Sequence, residues 1–350
     1  MGGDGKTPMP AVEAIFGLSQ NGVLISETAV PGAKAVASGR IYAEVGGPVN
    51  TGLAVANPND QPATVSFYFT DSNGVAFGRG TTTLDANGQI AKFLDQAPFN
   101  AAAGLRGTFT FVSSLPLRAV ALRGFTNERS EFLMTTLPVS DLNEAVQNQP
   151  ILLPHFADGG GWATELILVN STDFGMSGTL QFSGQISLTV SDGVSSTFRL
   201  GEYSYFIPAR TSRRLQSAGF GDFPNTGWIR ITPSNNGGTP SDVTITPSAV
   251  AIFAFKSAGV TVTEAGVPPV NPGTAFRTYV EASGNFNKGE IGSVQSGVVA
   301  IKKSARSLYR PRRPTIEIPG PGGAEIRSTP LNGFCNAAKP GICPRNIAVC

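Results

Sequence analysis

The chain has 350 residues and a formal net charge of +2, and 14% of its residues are charged, against about a quarter in an ordinary soluble domain. Residues 301–350 hold nine Lys/Arg and two Asp/Glu, and the rest of the chain holds 17 and 22, so the body carries no basic footprint for nucleic acid. No run of about twenty apolar residues occurs, which excludes a spanning helix, and 42 Gly and 26 Pro among abundant Thr, Ser, Val and Phe favour many short strands joined by turns.

The chain opens on Gly/Pro-rich residues that form no signal-peptide pattern. The first ordered block expected is residues 12–31: Ile15-Phe16, the turn dipeptide Asn21-Gly22, then Val23-Leu24-Ile25, ending at Val30-Pro31. It recurs without a gap at Ala251-Ile252-Phe253, Gly259-Val260, Glu264 and Val267-Pro268, and more loosely from Ala121-Leu122 to Leu137-Pro138. A repeat is therefore the organising feature. Residues 32–39 read as a linker.

A second block opens each repeat. Arg40, Tyr42, Glu44 and Gly47 return at Arg277, Tyr279, Glu281 and Gly284, and Phe156-Ala157-Asp158 is aligned with Tyr42-Ala43-Glu44 as its middle version. Gly52–Phe69 matches Glu165–Phe182 without a gap, pairing Leu53, Val55, Asn57 and Phe69 with Leu166, Leu168, Asn170 and Phe182. Gly107-Thr-Phe109-Thr-Phe111 matches Gly227-Trp-Ile229-Arg-Ile231. Residues 63–70 alternate apolar and polar, the period of a half-buried strand. Only Asp141–Gln149 is polar enough for a short helix or a plain linker.

These phrases predict an all-β fold of tandem antiparallel β-sandwich domains with partial repeats at both ends. The expected order is residues 1–31, closing strands of a partial repeat; 32–145, a first complete repeat; 146–272, a second; 273–300, opening strands of a truncated third; and 301–350, a basic disordered tail. Boundaries are placed where Pro-rich pieces suggest that few contacts cross. The third repeat stops after Ser296-Gly297-Val298-Val299-Ala300, and the tail resembles nothing upstream, as a reading-frame change or fusion in the source gene would produce. The chain starts inside a repeat, so it reads as a fragment of a longer secreted protein.

The chemistry-bearing residues are sparse. All three cysteines, Cys335, Cys343 and Cys350, lie in the tail and fit no zinc spacing. His155 is the sole histidine, and no Gly-x-Ser-x-Gly elbow accompanies it. Gly159-Gly160-Gly161 leads into no helix that could cradle a phosphate, and reads as a turn. No catalytic residue and no cofactor is expected. Glu44, Asp158 and Glu281, each two residues after an aromatic, are the metal candidates, since carboxylates at domain junctions can bind calcium; the plain reading is an opening strand whose acid meets solvent. Trp162, Tyr203, Tyr205 and Trp228 are candidates for stacking on sugar rings, with Trp228 turned outward because it replaces polar Thr108. Asn170-Ser171-Thr172 fits an N-glycosylation pattern, but Asn170 and Asn57-Pro58 read as strand-ending turns.

The arrangement resembles the tandem immunoglobulin-like or fibronectin-like repeats of large secreted bacterial proteins over residues 12–300, on repeat length, strand alternation and phrases such as Gly52-Leu-Ala-Val-Ala-Asn-Pro58. The Cys and Trp pattern of antibody domains is absent. The resemblance implies an extracellular or cell-surface setting and a non-enzymatic structural or adhesive role. The alternative is a carbohydrate-binding module, and a third class is a hydrolase with a hidden site. Expected partners are neighbouring repeats, surface glycans or another copy of the chain, with no nucleic acid and no membrane insertion.

Overall fold

A computed structural model describes residues 12–190, 198–234 and 244–270. Among them the fold is all-β, with antiparallel pairing throughout and no helix. The expected truncated repeat (273–300), the tail (301–350) with its cysteines, and Glu281 lie outside the described residues.

The chain begins with a hairpin of β1 (Glu13–Gln20) and β2 (Val23–Pro31), turned at Asn21-Gly22 with both residues at positive φ. The first eight-stranded sheet follows: β3 (Ala35–Gly46), β4 (Val49–Ala56), β5 (Ala63–Thr70), β6 (Ala76–Leu84), β7 (Gln89–Phe93), β8 (Leu105–Thr126), β9 (Phe132–Leu137) and the two-residue β10 (Ser140–Asp141). The residues expected to link at 35–39 are the start of β3, and Asp141–Gln149 forms no helix.

Strand β8 organises this sheet. Its first half pairs with β3 and β5, placing Phe109 and Phe111 beside Ile41, Phe67 and Phe69. Its second half pairs with β4 and β9, aligning Ala121 with Leu53 and Leu137. The rings of Phe67, Phe69, Phe99 and Phe109 meet at centroid distances of 5.1–6.5 Å. These alternating apolar residues all reach one core.

The second sheet repeats the plan with β11 (Ile151–Asp158), β12 (Trp162–Val169), β13 (Met176–Val190), β14 (Phe198–Ile207), β15 (Ser212–Ser217), β16 (Asn225–Ser234), β17 (Ser248–Ser257) and β18 (Val260–Val267). Strand β16 pairs with β11 and β13 as the first half of β8 pairs with β3 and β5. Strand β17 pairs with β12 and β18 as the second half of β8 pairs with β4 and β9. One continuous strand in the first repeat is thus two in the second, separated by the Ser/Asn/Gly-rich insertion.

The three copies of the recurring block share one hairpin register: Ala14 opposite Val30, Ala121 opposite Leu137, and Ala251 opposite Val267. The β1–β2 and β17–β18 hairpins even carry their register shift at equivalent places, Leu18/Ser19 and Phe255/Lys256.

The matched asparagines are equivalent in atomic detail. Asn57 and Asn170 are both buried. The Asn57 side-chain amide donates to the carbonyls of Gln61, Leu84 and Asp85, and that of Asn170 to those of Phe174, Ile207 and Pro208. Each Oδ1 accepts from the backbone two residues on, Asn59 or Thr172. They are therefore buried latches closing each sheet edge, more than turns, and Asn170 presents no free amide for glycosylation. Asn57→Ala leaves buried carbonyls without their donor and should cost about 1–3 kcal/mol. Urea unfolding is expected to show a lower midpoint with an unchanged slope.

The opening blocks differ from the expected alignment. Phe156 lies opposite Gly227, the counterpart of Gly107, whose partner in the first repeat is Ala43. Strand β11 shifts register between Leu153 and Phe156. The true counterpart of Phe156 is therefore Ala43, one residue from the expected Tyr42, and a one-residue slip reverses the faces. Phe156 enters the second core against Phe182, whereas Tyr42 points away from the phenylalanine cluster.

The high glycine content has a second cause besides turns. Gly80 and Gly227 sit in strands opposite Phe67 and Phe156, whose rings occupy the space a Cβ would need. Aromatic cover of a strand glycine is a known stabilising device.

Candidate functional site

The two repeats share a buried face. On β12 and β17, Leu166, Leu168, Ala249 and Ala251 enter the second core, while Ile167, Val169, Val250 and Ile252 enter the first. The expectation that few contacts cross between residues 32–145 and 146–272 fails here, because the second repeat supplies a wall of the first core.

Around that wall runs a chain of six alternating charges, three from each repeat. Arg106 Nη2 lies 3.0 Å from Glu44 Oε1, which also meets Arg214 Nη1 at 3.1 Å. Arg214 Nε reaches Glu165 Oε1 at 3.4 Å, Glu165 Oε2 reaches Arg123 Nη2 at 3.6 Å, and Arg123 Nη1 donates to Glu264 Oε2. All but Arg106 are largely buried. Burial opposes the charge of Arg123, but Glu165, Glu264 and Glu44 outweigh it and hold its pKa above the ordinary value. Burial likewise opposes the charge of Arg214, and Glu165 and Glu44 overcome it. Burial raises Glu264, with Arg123 only partly offsetting. Tyr42 donates to Glu44 Oε2 at 2.8 Å, and burial with that carboxylate pushes its hydroxyl well up.

Further pins flank the charges. Arg40 is buried, donating to Thr110 Oγ1, Tyr68 Oη and the Asn170 carbonyl. It ties β3 to the latch residue of the second repeat, and its burial lowers its pKa. Thr108 Oγ1 donates to the Arg210 carbonyl at 2.6 Å, and Ser212 Oγ to the Gly107 carbonyl at 3.1 Å. At the far end Asn127 donates to the Thr261 carbonyl, and Glu128 accepts from the Thr261 N–H and pairs with Lys256 at 2.7 Å.

A cleft of about 620 Å³ opens between the repeats over this network. Among the described residues its lining holds acids and bases in balance and no Ser, Cys or His. Each of these buried carboxylates faces a guanidinium, so the arrangement joins two surfaces.

The contact at Glu128 carries a pH signature. The Lys256 ammonium and the Thr261 N–H lower the Glu128 carboxyl from 4.5 to about 2. A carboxyl depressed on folding contributes stability that is complete above 4.5 and is lost as pH falls toward its folded value. Glu264, raised by burial, runs the opposite way and favours the fold less as pH rises above 4.5. The melting temperature should therefore fall as pH drops from 4.5 to about 2, and Glu128→Gln should flatten that descent.

The residues singled out by sequence scatter. Glu44 lies in the junction, paired with two arginines and turned away from solvent. Asp158 is buried and accepts from the Gly219 N–H at 2.8 Å. Among the described residues no cluster of three or more potential metal ligands gathers. Tyr205 is 3% exposed and belongs to the second core, so it offers no surface for stacking. Its ring lies over Gly178, whose missing side chain gives it room. Tyr203 is half-buried beside that core. Trp162 is half-buried, with its ring 4.9 Å from Phe255 and 5.6 Å from Phe253, and the His155 ring meets Phe253 edge-on at 4.9 Å. Trp228 is exposed, as alternation predicts, with Arg230 over its ring at 5.5 Å. Gly159–Gly161 form the β11–β12 turn, all at positive φ.

The most exposed aromatics among the described residues escaped the sequence reading: Phe220 and Phe223, 68% and 81% exposed in the segment before β16. Their setting, Gly219-Phe-Gly-Asp-Phe-Pro224, was the available signal, since rings between Gly and Pro in a loop have no strand face to enter. Comparison with protein-family models and with curated proteins finds no match to the chain.

Proposed function

We propose that the chain is a non-enzymatic structural segment of a larger extracellular or cell-surface protein, built from tandem immunoglobulin-like β-sandwich repeats that stack through one recurring junction. A single observation carries this reading: the hairpin-on-hairpin contact at the junction occurs twice. Gly266 of β18 approaches Thr135 of β9 so closely that a Cβ there would lie 2.7 Å from Thr135 Oγ1. The same offsets that relate the three hairpins map Thr135 and Gly266 onto Thr28 and Thr136, whose hydroxyls meet at 3.2 Å. The β1–β2 hairpin therefore sits on the first repeat as the β8–β9 hairpin of the first repeat sits on the second.

The exposed faces follow the same logic. The strand face carrying Tyr42, Thr108 and Thr110 is covered by the second repeat. Its counterpart on the second repeat carries His155, Trp228 and Arg230, half-buried or exposed. It is the face on which a following repeat would sit. A stack with buried junctions is stiff, and stiffness is what a spacer or stalk supplies. The carbohydrate-binding alternative draws only on Trp228 and Trp162, because Tyr205 is core.

Small-angle scattering tests the reading. A stiff stack predicts a particle whose shape is the same at low and high salt, because a desolvated junction is screened little. Salt-dependent swinging of the two repeats would contradict it.

A further inference from the structure

The loop between β15 and β16, residues 218–224, is clamped while its two phenylalanines stay in water. The Gly219 N–H donates to the buried Asp158 carboxylate and the Gly160 N–H to the Gly221 carbonyl, each at 2.8 Å. The carbonyls of Phe220 and Phe223 press on Gly159, where a Cβ would lie 2.7 Å from each oxygen. Yet Phe220, Asp222 and Phe223 are all exposed. The repeat plan does not demand this. Strand β7 pairs with β4 as β15 pairs with β12, and the loop after β7 sends Phe99 into the first core, against Phe67 and Phe109. The second core already holds Phe156 where the first holds Ala43.

Among the described residues no ring stacks on Phe220 or Phe223, no cation lies over either, and no base pairs with Asp222. Other aromatics of the fold already carry a guanidinium: Arg79 over Tyr68, Arg123 over Phe125 and Arg230 over Trp228. An aromatic face is electron-rich, so two uncovered rings flanking an unpaired carboxylate attract a cation. That cation must also cover apolar rings, which favours methyl groups around the charge over a compact, strongly hydrated ion. A neutral apolar partner would leave the Asp222 carboxylate dry and unpaired. Two rings bury about 300–500 Å² at most, far short of the ~1,200 Å² of a stable protein interface, so the ligand is small.

We propose that this loop binds a methylated organic ammonium ion, of the kind choline carries, with its methyl groups against Phe220 and Phe223 and its charge beside Asp222. The inference goes beyond the structural reading and does not depend on it. The clamp fixes the loop before the ligand arrives, so binding carries no cost of ordering it. The ligand is one free in water. A lipid headgroup would draw the loop into the bilayer surface, where the Asp222 charge is repelled by anionic lipid and is costly in hydrocarbon.

The test is saturation-transfer NMR on the full chain with choline titrated to about 20 mM, a span that covers the Kd of about 1–10 mM expected of a few exposed cation–π contacts. The expected result is saturation of the choline methyl signal. Phe220→Ala combined with Phe223→Ala should abolish it without moving the melting temperature, since neither ring is in a core. Asp222→Asn should weaken binding about threefold. The neutral isostere of choline, with carbon in place of nitrogen, should bind at least about tenfold more weakly. No saturation across the range overturns the proposal, as does saturation that survives the double Phe variant or an affinity unchanged in Asp222→Asn. Equal binding of the neutral isostere also overturns it, by making the loop a plain apolar patch. Saturation of a methyl glucoside in place of choline would assign the loop to neutral sugars and overturn it as well. If phosphatidylcholine vesicles sediment the unaltered chain and not the double variant, a lipid is the ligand and the water-soluble source is overturned.

Discussion

Replacing Arg123 by alanine should destabilise the protein by about 3–5 kcal/mol, because it leaves buried Glu264 without its cation and Glu165 with Arg214 alone. Glu165 and Glu264 come from different strands of the second repeat and share this one guanidinium. Without it, Glu264 must protonate or force the junction apart, while Glu165 keeps one of its two arginines. Deletion of the whole set is expected to be far milder, since a buried ion group replaced by apolar or neutral residues of similar size is often tolerated. Arg123→Met combined with Glu165→Gln and Glu264→Gln should therefore recover most of the loss. Chemical denaturation of the single and triple variants checks both. A triple variant no more stable than the single would show that the charges pair for more than mutual neutralisation.

Phe109→Ala should cost about 3–5 kcal/mol, the range for truncating a buried ring. Phe109 is fully buried and touches Phe67, Phe69 and Phe99. Its strand is held by β3 on one side and β5 on the other, so the space cannot collapse easily. Phe77, which stacks on Phe69 at the sheet edge and is partly exposed, is the internal control. Phe77→Ala should cost much less, because water already reaches the ring.

The sequence made the repeat visible because its offsets are properties of the chain itself. Ala14, Ala121 and Ala251 recur with their partners Val30, Leu137 and Val267, and a hairpin register needs nothing else. The asparagine pair was likewise visible, though not its burial, since the carbonyls that Asn57 and Asn170 bind include several nearly thirty or more residues away. The junction was not legible. Arg106, Glu44, Arg214, Glu165, Arg123 and Glu264 lie on five strands, and no local pattern marks a charge that will meet its partner across two repeats. The sequence reading failed at two named places for physical reasons. The register shift before Phe156 reversed the face of an aromatic, and Gly178 made room that buried Tyr205.

The central claim is that the two repeats form one mechanical body through a shared buried face. Ile167, Val169, Val250 and Ile252 complete the first core from the second repeat. Native-state hydrogen exchange on a second-repeat variant, Ile229→Ala, tests it most directly. Ile229 is buried in the second core. The account predicts that protection falls by similar free energies in β16 and in the first-repeat strands β3 and β8, because they open as one cooperative unit. Loss of protection confined to residues after 150, with β3 and β8 unchanged, would contradict it.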